Sequence, residues 1–140
     1  MTKVFFDTNI LIYAHQTENG HKNTLARELL APQAGSYEAV FSTQVIQEFW
    51  VTMTRKLGVD KERIRSQVES LMGTLVQTVQ PEDILNAIHW QTQWKISFWD
   101  ALILVSAKRA GAAVLYTEDL SNGRLYNGVK AVNPFLPLSN

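Results

Sequence analysis

The sequence contains no cysteine, which excludes a disulfide framework, a thiolate nucleophile and a thiolate metal site. Long apolar runs are also missing. The longest, residues 101–105, is far shorter than the roughly 20 residues that span a bilayer. The first residues reach Asp7 before the apolar core of a signal peptide could form. We therefore expect no signal peptide, no membrane span and a cytoplasmic location.

An excess of charge of either sign is absent too. Thirteen lysine and arginine residues balance thirteen acidic residues, whereas proteins that coat nucleic acid usually carry an overall basic field. The balance still permits an enzyme that contacts nucleic acid transiently, through a local basic patch or through bound metal ions. Five cations lie close together and either position phosphates or form a solvated helix surface: Arg55, Lys56, Lys61, Arg63 and Arg65.

At 140 residues the chain has the length of one domain, which we place at residues 1–140. Short apolar runs bounded by polar residues predict strands, and apolar residues at helical spacing predict helices. The predicted strands cover residues 4–6, 39–41, 75–79, 113–116 and 129–132. The predicted helices cover residues 9–15, 24–31, 43–57, 60–72, 81–94 and 97–109. This alternation indicates a doubly wound α/β fold with a parallel sheet of about five strands.

Three acidic residues stand where such folds bind ligands, near the carboxyl ends of strands. Asp7 follows the first predicted strand, Asp119 follows the fourth, and Asp100 lies in the first turn of a helix. Each also has a purely structural explanation. Asp7 is a good helix N-cap, Asp100 completes a capping box that begins at Ser97, and Asp119 suits a turn. Taken singly, none of the three indicates a function.

Glu48 is harder to place, because it lies in the middle of a predicted helix. It falls nearly opposite the apolar stripe of that helix, and periodicity alone therefore predicts a solvated surface glutamate. Val45 and Val51 form a second, partly apolar side around it. A helix packed on two sides would turn Glu48 towards a cleft, and both interpretations remain open.

Together the four carboxylates predict a metal site. Carboxylate oxygens suit Mg²⁺ or Mn²⁺ rather than Zn²⁺, and the three histidines show no paired ligand spacing. Clustered carboxylates repel one another unless a cation compensates them. The expected chemistry is metal-assisted hydrolysis of a phosphodiester without a covalent nucleophile. Thr8, Asn9 and Thr117 are candidates for orienting water or the carboxylates.

Short motifs around these acids resemble those of PIN-domain ribonucleases. In chain order they read Phe6-Asp7-Thr8-Asn9, Gln47-Glu48-Phe49, Ser97-Phe98-Trp99-Asp100-Ala101 and Leu115-Tyr116-Thr117-Glu118-Asp119-Leu120. The ending, with Asn122-Gly123, Gly128-Val129 and Asn133-Pro134-Phe135, is similar to that of the VapC-like toxins of bacterial type II toxin–antitoxin systems. The motifs span nearly the whole chain.

The resemblance implies a three-layer α/β/α fold, Mg²⁺- or Mn²⁺-dependent endonuclease activity on RNA, and a homodimer that a cognate antitoxin silences. By position, it assigns metal binding and catalysis to Asp7, Glu48, Asp100 and Asp119. It adds Glu118 as a further acid and Thr117 as a supporting hydroxyl.

Other functions fit the sequence less well. A phosphoacceptor receiver domain needs an aspartate at the end of a central strand, but residues 75–79 are followed by Gln80. A phosphatase with an Asp-x-Asp nucleophile motif needs a second acid, but Asn9 occupies that position in this chain. A non-catalytic PIN scaffold that binds RNA or protein remains the main alternative.

Overall fold

A computed structural model describes residues 2–31 and 36–137 of the chain. These residues form six strands, β1 (Lys3–Phe6), β2 (Glu38–Ser42), β3 (Leu75–Gln77), β4 (Val114–Tyr116), β5 (Leu125–Tyr126) and β6 (Val129–Val132). The same residues form six α-helices, α1 (Thr8–Ala14), α2 (His21–Leu30), α3 (Thr43–Val51), α4 (Lys61–Leu71), α5 (Pro81–Trp94) and α6 (Phe98–Arg109). No helix in this part of the chain is long and apolar enough to cross a membrane.

The strands form one sheet in the order β3-β2-β1-β4-β6-β5. All pairs are parallel except β5 with β6. The chain runs from β1 outward to β2 and β3, then returns to add β4 on the other side of β1. This reversal creates the crevice in which α/β sheets bind ligands. The predicted α/β class, with a mainly parallel sheet flanked by helices, is confirmed.

The predicted boundaries differ from the structure in a few places. The prediction of about five strands omitted β5, which pairs with β6 across a tight turn at Asn127 and Gly128. Both turn residues have positive φ angles, 49° and 96°, as a two-residue hairpin turn requires. An Asn-Gly pair is itself a strong hairpin signal, so the sequence held the information. The strand predicted at residues 75–79 ends earlier, at Gln77.

The helix predicted over residues 43–57 changes type along its length. It is α-helical through Val51 and continues as a π-helix at Thr52–Lys56. The backbone N–H of Leu57 donates to the carbonyl of Thr52 at 3.0 Å, which is the wider i to i+5 pattern. Ser42 caps the start of α3 by accepting a hydrogen bond from the N–H of Val45 at 3.3 Å.

The core lies around β1 and α6. Val4, Phe5 and Phe6 of β1 are buried, as expected for a central strand covered on both faces. Helix α6 is buried without interruption from Ala101 to Ala107, because it packs against both α5 and the sheet. Its first turn lies at the carboxyl ends of β1 and β4, where Asp100 approaches Asp7 and Asp119.

Candidate metal centre

Asp7 is fixed at the centre of the candidate site. It is the N-cap of α1, and only 3% of its surface is exposed. Its Oδ1 accepts a hydrogen bond from the Thr8 backbone N–H at 2.6 Å, and its Oδ2 accepts one from the Thr117 hydroxyl at 2.6 Å. Its own N–H donates to the carbonyl of Tyr116 at 3.0 Å. The capping interpretation is therefore correct. The same carboxylate also belongs to a cluster with Glu48, Asp100 and Asp119, called the acidic group below.

Asp7, Asp100 and Asp119 lie together. Each offers a carboxylate oxygen, and the three oxygens lie within 4.8 Å of one another. The parallel register of β1 and β4 aligns Phe6 with Tyr116, so the chain following each strand emerges at the same edge. Asp100 reaches this edge from α6, whose N-cap Ser97 accepts a hydrogen bond from the Asp100 N–H at 3.1 Å. Three oxygen donors at this separation can hold one divalent cation.

Glu48 faces the same crevice but is not one of these three ligand candidates. It is half-buried, and its Oε2 accepts a hydrogen bond from the Thr8 hydroxyl at 2.9 Å. Its Oε1 accepts one from the Gln44 side-chain amide at 2.8 Å. The solvated glutamate that periodicity predicts is therefore wrong. Periodicity fails because α3 is buried on more than one side in its first turn, at Gln44, Val45 and Ile46.

The electrostatics of the group favour a bound cation. Burial raises the pKa of Asp7 to about 7, although the hydrogen bonds from Thr117 and Thr8 oppose this rise and the charges of Asp119 and Asp100 add to it. Burial also raises the pKa of Asp100 and of Asp119, and in both cases the charge of Glu48 contributes to the rise. Negative charge is thus costly here without a counter-ion. An all-oxygen donor set of this kind fits Mg²⁺ or Mn²⁺.

Comparison with known proteins gives the family. The model of the PIN domain matches residues 4–125. The chain belongs to the PIN-domain family. The predicted resemblance is therefore confirmed at the level of the family, whereas a search of curated proteins finds no match.

Solved structures share this fold at low sequence identity. The VapC20 toxin of Mycobacterium tuberculosis, described as cleaving the sarcin–ricin loop, is 20% identical with a TM-score of 0.67 over 83% of this chain and 89% of its own. VapBC2 of Rickettsia felis, bound to promoter DNA, is 18% identical with a TM-score of 0.66 over 93% and 97%. DNA-bound VapBC of Salmonella typhimurium is 20% identical with a TM-score of 0.65 over 94% and 97%.

Besides Thr8, two predicted supporting residues of this PIN domain contact the acidic group. The side-chain amide of Asn9 donates to Asp119 Oδ2 at 3.0 Å. The Thr117 hydroxyl accepts from the Asp119 N–H at 3.1 Å while it donates to Asp7. Thr117 therefore ties the two carboxylates at the ends of β1 and β4 to each other. The Oδ1 atom of Asn9 is buried without a hydrogen-bond partner among the described residues, so an acceptor is left over beside Asp119.

Glu118 is held apart from the three carboxylates. Its Oε1 accepts from the Tyr13 hydroxyl at 2.5 Å, and its Oε2 accepts from Lys22 at 3.1 Å. The Lys22 ammonium also lies over the rings of Tyr13 and Phe135, at 4.6 and 5.4 Å from their centroids. Glu118 acts on the site through its charge, which raises the pKa of Asp119.

Gln44 is a site residue that the sequence analysis missed. It is 5% exposed, and its amide nitrogen donates to both Glu48 and the backbone carbonyl of Trp99, at 2.8 and 3.2 Å. It therefore joins α3 to the turn that carries Asp100. The available signal was its position four residues before Glu48, since such pairs lie side by side on a helix.

Proposed function

We propose that this PIN domain is a metal-dependent endoribonuclease, the toxin of a toxin–antitoxin pair that acts on RNA in the cytoplasm. The observation that carries the proposal is the convergence of Asp7, Asp100 and Asp119 on one point at the carboxyl ends of β1 and β4. Family membership supports it, as does the structural likeness to toxins such as VapC20.

In this proposal Asp7, Asp100 and Asp119 hold Mg²⁺ or Mn²⁺, and Glu48 completes the acidic group. A divalent ion in such a group supplies Lewis-acid activation of water and neutralises charge on the phosphodiester. The chain's own contribution is to fix the carboxylates. Thr117 and the start of α1 hold Asp7, and Thr8 and Gln44 hold Glu48. Fixed donors need little rearrangement as the reaction proceeds.

The experiment uses the purified protein, freed of any antitoxin, with Mg²⁺ or Mn²⁺ and a set of structured and single-stranded RNAs. We expect endonucleolytic products that EDTA abolishes and that Asp7→Asn fails to produce. Asp60→Asn is a matched control, because it changes the carboxylate that caps α4 outside the acidic group, and it should cleave as the wild type does. Equal cleavage by wild type and Asp7→Asn would refute the proposal. RNA binding without metal-dependent cleavage would favour the binding-module alternative.

The proposed antitoxin and homodimer rest on separate grounds. The structural neighbours include a toxin–antitoxin complex, and an antitoxin expressed with this chain is expected to abolish cleavage. Exposed apolar side chains on α5 support self-association, namely Ile84, Leu85 and Ile88. Light scattering is expected to report a dimer that Leu85→Glu converts to a monomer, and a wild-type monomer would exclude the homodimer.

A further inference from the structure

A groove opens beside the acidic group, on the side of α3. It encloses about 550 Å³, within the range of pockets that take small organic groups. Its lining residues are Gln44, Gln47, Glu48, Val51, Thr52 and Trp99. Glu48 belongs to both the groove and the acidic group, and Trp99 directly precedes Asp100. Anything that occupies the groove therefore lies next to the proposed metal ions.

Trp99 is the most unusual wall of this groove. It leaves 62% of its surface exposed, although large aromatic side chains generally bury most of their area. Its ring packs edge-on against Phe98, with centroids 5.2 Å apart and planes at 80°. Exposed aromatic rings on nucleic-acid-binding proteins stack on unpaired bases. Trp99 thus presents a ring on which an unpaired base can stack, next to the candidate catalytic centre.

Gln44 connects the groove to the acidic group. Its amide nitrogen faces two acceptors, Glu48 Oε1 and the carbonyl of Trp99, so the orientation of the amide is fixed. Its Oε1 atom is then the free acceptor, buried without a hydrogen-bond partner among the described residues. A buried acceptor without a donor is costly. The amide that connects the groove to the turn carrying Asp100 is therefore held through its nitrogen, by Glu48 and the carbonyl of Trp99.

Charge indicates what kind of molecule fits. Val51 also lines a second hollow of about 420 Å³, whose lining includes Arg55 and Lys61, both exposed. This neighbouring hollow therefore supplies two cations, while Glu48 of the acidic group lines the groove itself. A chain of phosphates carrying unpaired bases matches this arrangement, since cations position phosphates and the aromatic ring receives a base.

We propose that the groove binds an unpaired nucleotide of the substrate RNA, with its base stacked on Trp99 and its neighbouring phosphates directed towards Arg55 and Lys61. This inference rests on the proposed ribonuclease function and adds to it a positioning role for Trp99, which receives a base of the substrate beside the cleaved bond. Base stacking on an aromatic side chain contributes roughly 1–3 kcal/mol. Loss of Trp99 should therefore weaken RNA binding by about 5- to 150-fold.

The test measures the tryptophan emission of the full chain while single-stranded RNA decamers are added. The solution contains Ca²⁺, a hard cation that takes oxygen ligands. We expect quenching by the decamers, little quenching by the same sequence in a duplex, and loss of most of the signal in Trp99→Leu. In cleavage assays Trp99→Leu should raise KM at least fivefold while kcat changes less than threefold. Leu125→Ala is a matched control at a similarly exposed side chain on β5 and should leave both constants unchanged.

Two results would overturn the subsite: no quenching at saturating decamer, or an unchanged KM in Trp99→Leu. An absence of quenching would favour a protein segment, rather than RNA, as the occupant of the groove. If Trp99→Leu does not fold, Lys61→Ala replaces it, and a lower salt dependence of RNA binding is then expected, whereas an unchanged slope would count against the proposal. Quenching that depends on Trp99 in a protein that cleaves no RNA would support the subsite and refute the ribonuclease function, so the two failures are distinguishable.

Discussion

The hydroxyl of Thr8 donates a hydrogen bond of 2.9 Å to the carboxylate of Glu48, although the two residues are 40 positions apart in the chain. Thr8 is buried at the start of α1, and its backbone N–H also holds Asp7. One residue thus orients two of the four acids, one with its backbone and the other with its side chain.

Thr8→Val removes the hydrogen bond to Glu48 but keeps the shape of the side chain and the backbone contact to Asp7. We expect the cleavage rate to fall about 10- to 100-fold, as for other residues that orient groups at a metal site. Thr8→Ser keeps a hydroxyl and should restore most of the rate. Equal losses in the two variants would mean that packing, not the hydrogen bond, matters at this position.

The buried carboxyl of Asp7 should make the metal-free protein less stable as the pH rises. Its folded-state pKa of about 7 lies above the ordinary value of 3.8, so folding favours the protonated form. The contribution of Asp7 is most favourable below pH 4 and is lost as the pH rises towards 7. In EDTA, the wild-type Tm should therefore decrease more between pH 5 and pH 8 than that of Asp7→Asn.

Mn²⁺ should reverse this loss at pH 8, because a ligand that binds only the folded state stabilises it. The Tm of the wild type is expected to increase with Mn²⁺ concentration, and that of Asp7→Asn to respond much less. Parallel pH profiles for the two proteins in EDTA would contradict the assignment of the pH effect to Asp7.

Glu118 and Asp119 are adjacent acids with different expected roles. Asp119→Asn removes a proposed metal ligand and should lower the cleavage rate about 100-fold or more, beyond the usual effect of a residue that only orients ligands. Glu118→Gln disrupts a partly exposed ion pair with Lys22, and such pairs contribute little. We expect a loss of less than about tenfold. A larger loss for Glu118→Gln would show that Glu118 moves to the metal ions during the reaction.

Asp83 and Arg109 form a structural ion pair that is not part of the acidic group. The Asp83 side chain is fully buried, and Arg109 donates to its two carboxylate oxygens, from Nε and Nη2, at 2.9 Å each. Arg109→Met leaves a buried charge unpaired and should lower the free energy of unfolding by about 3 kcal/mol.

Arg65→Met is the control for this prediction, because Arg65 pairs with Glu69 on the exposed surface of α4 at 3.3 Å. Its loss should cost about 0.5 kcal/mol or less. Urea titrations of both variants measure the two values. Similar losses would show that burial does not set the strength of the Asp83 pair.

Helix ends and strand runs could be predicted because they depend on neighbouring residues. The N-caps at Asp7 and Ser97 lie where the sequence places them, since capping is a local hydrogen bond. The end of β3 and the π-helical turn after Val51 were not predicted, because sheet pairing and packing against other elements decide them.

The sequence by itself determined most of the elements of this protein, their α/β order and the placement of Asp7, Asp100 and Asp119 near strand or helix ends. Only the tertiary structure decided that their oxygens meet within 4.8 Å and that Glu48 turns towards them. Periodicity describes one helix with one buried face, whereas α3 contacts α1 and α4 as well as the strand before it. The hydrogen bonds from Thr8 and Gln44 that orient Glu48 exist because of that packing, and one of them joins residues that are remote in the chain.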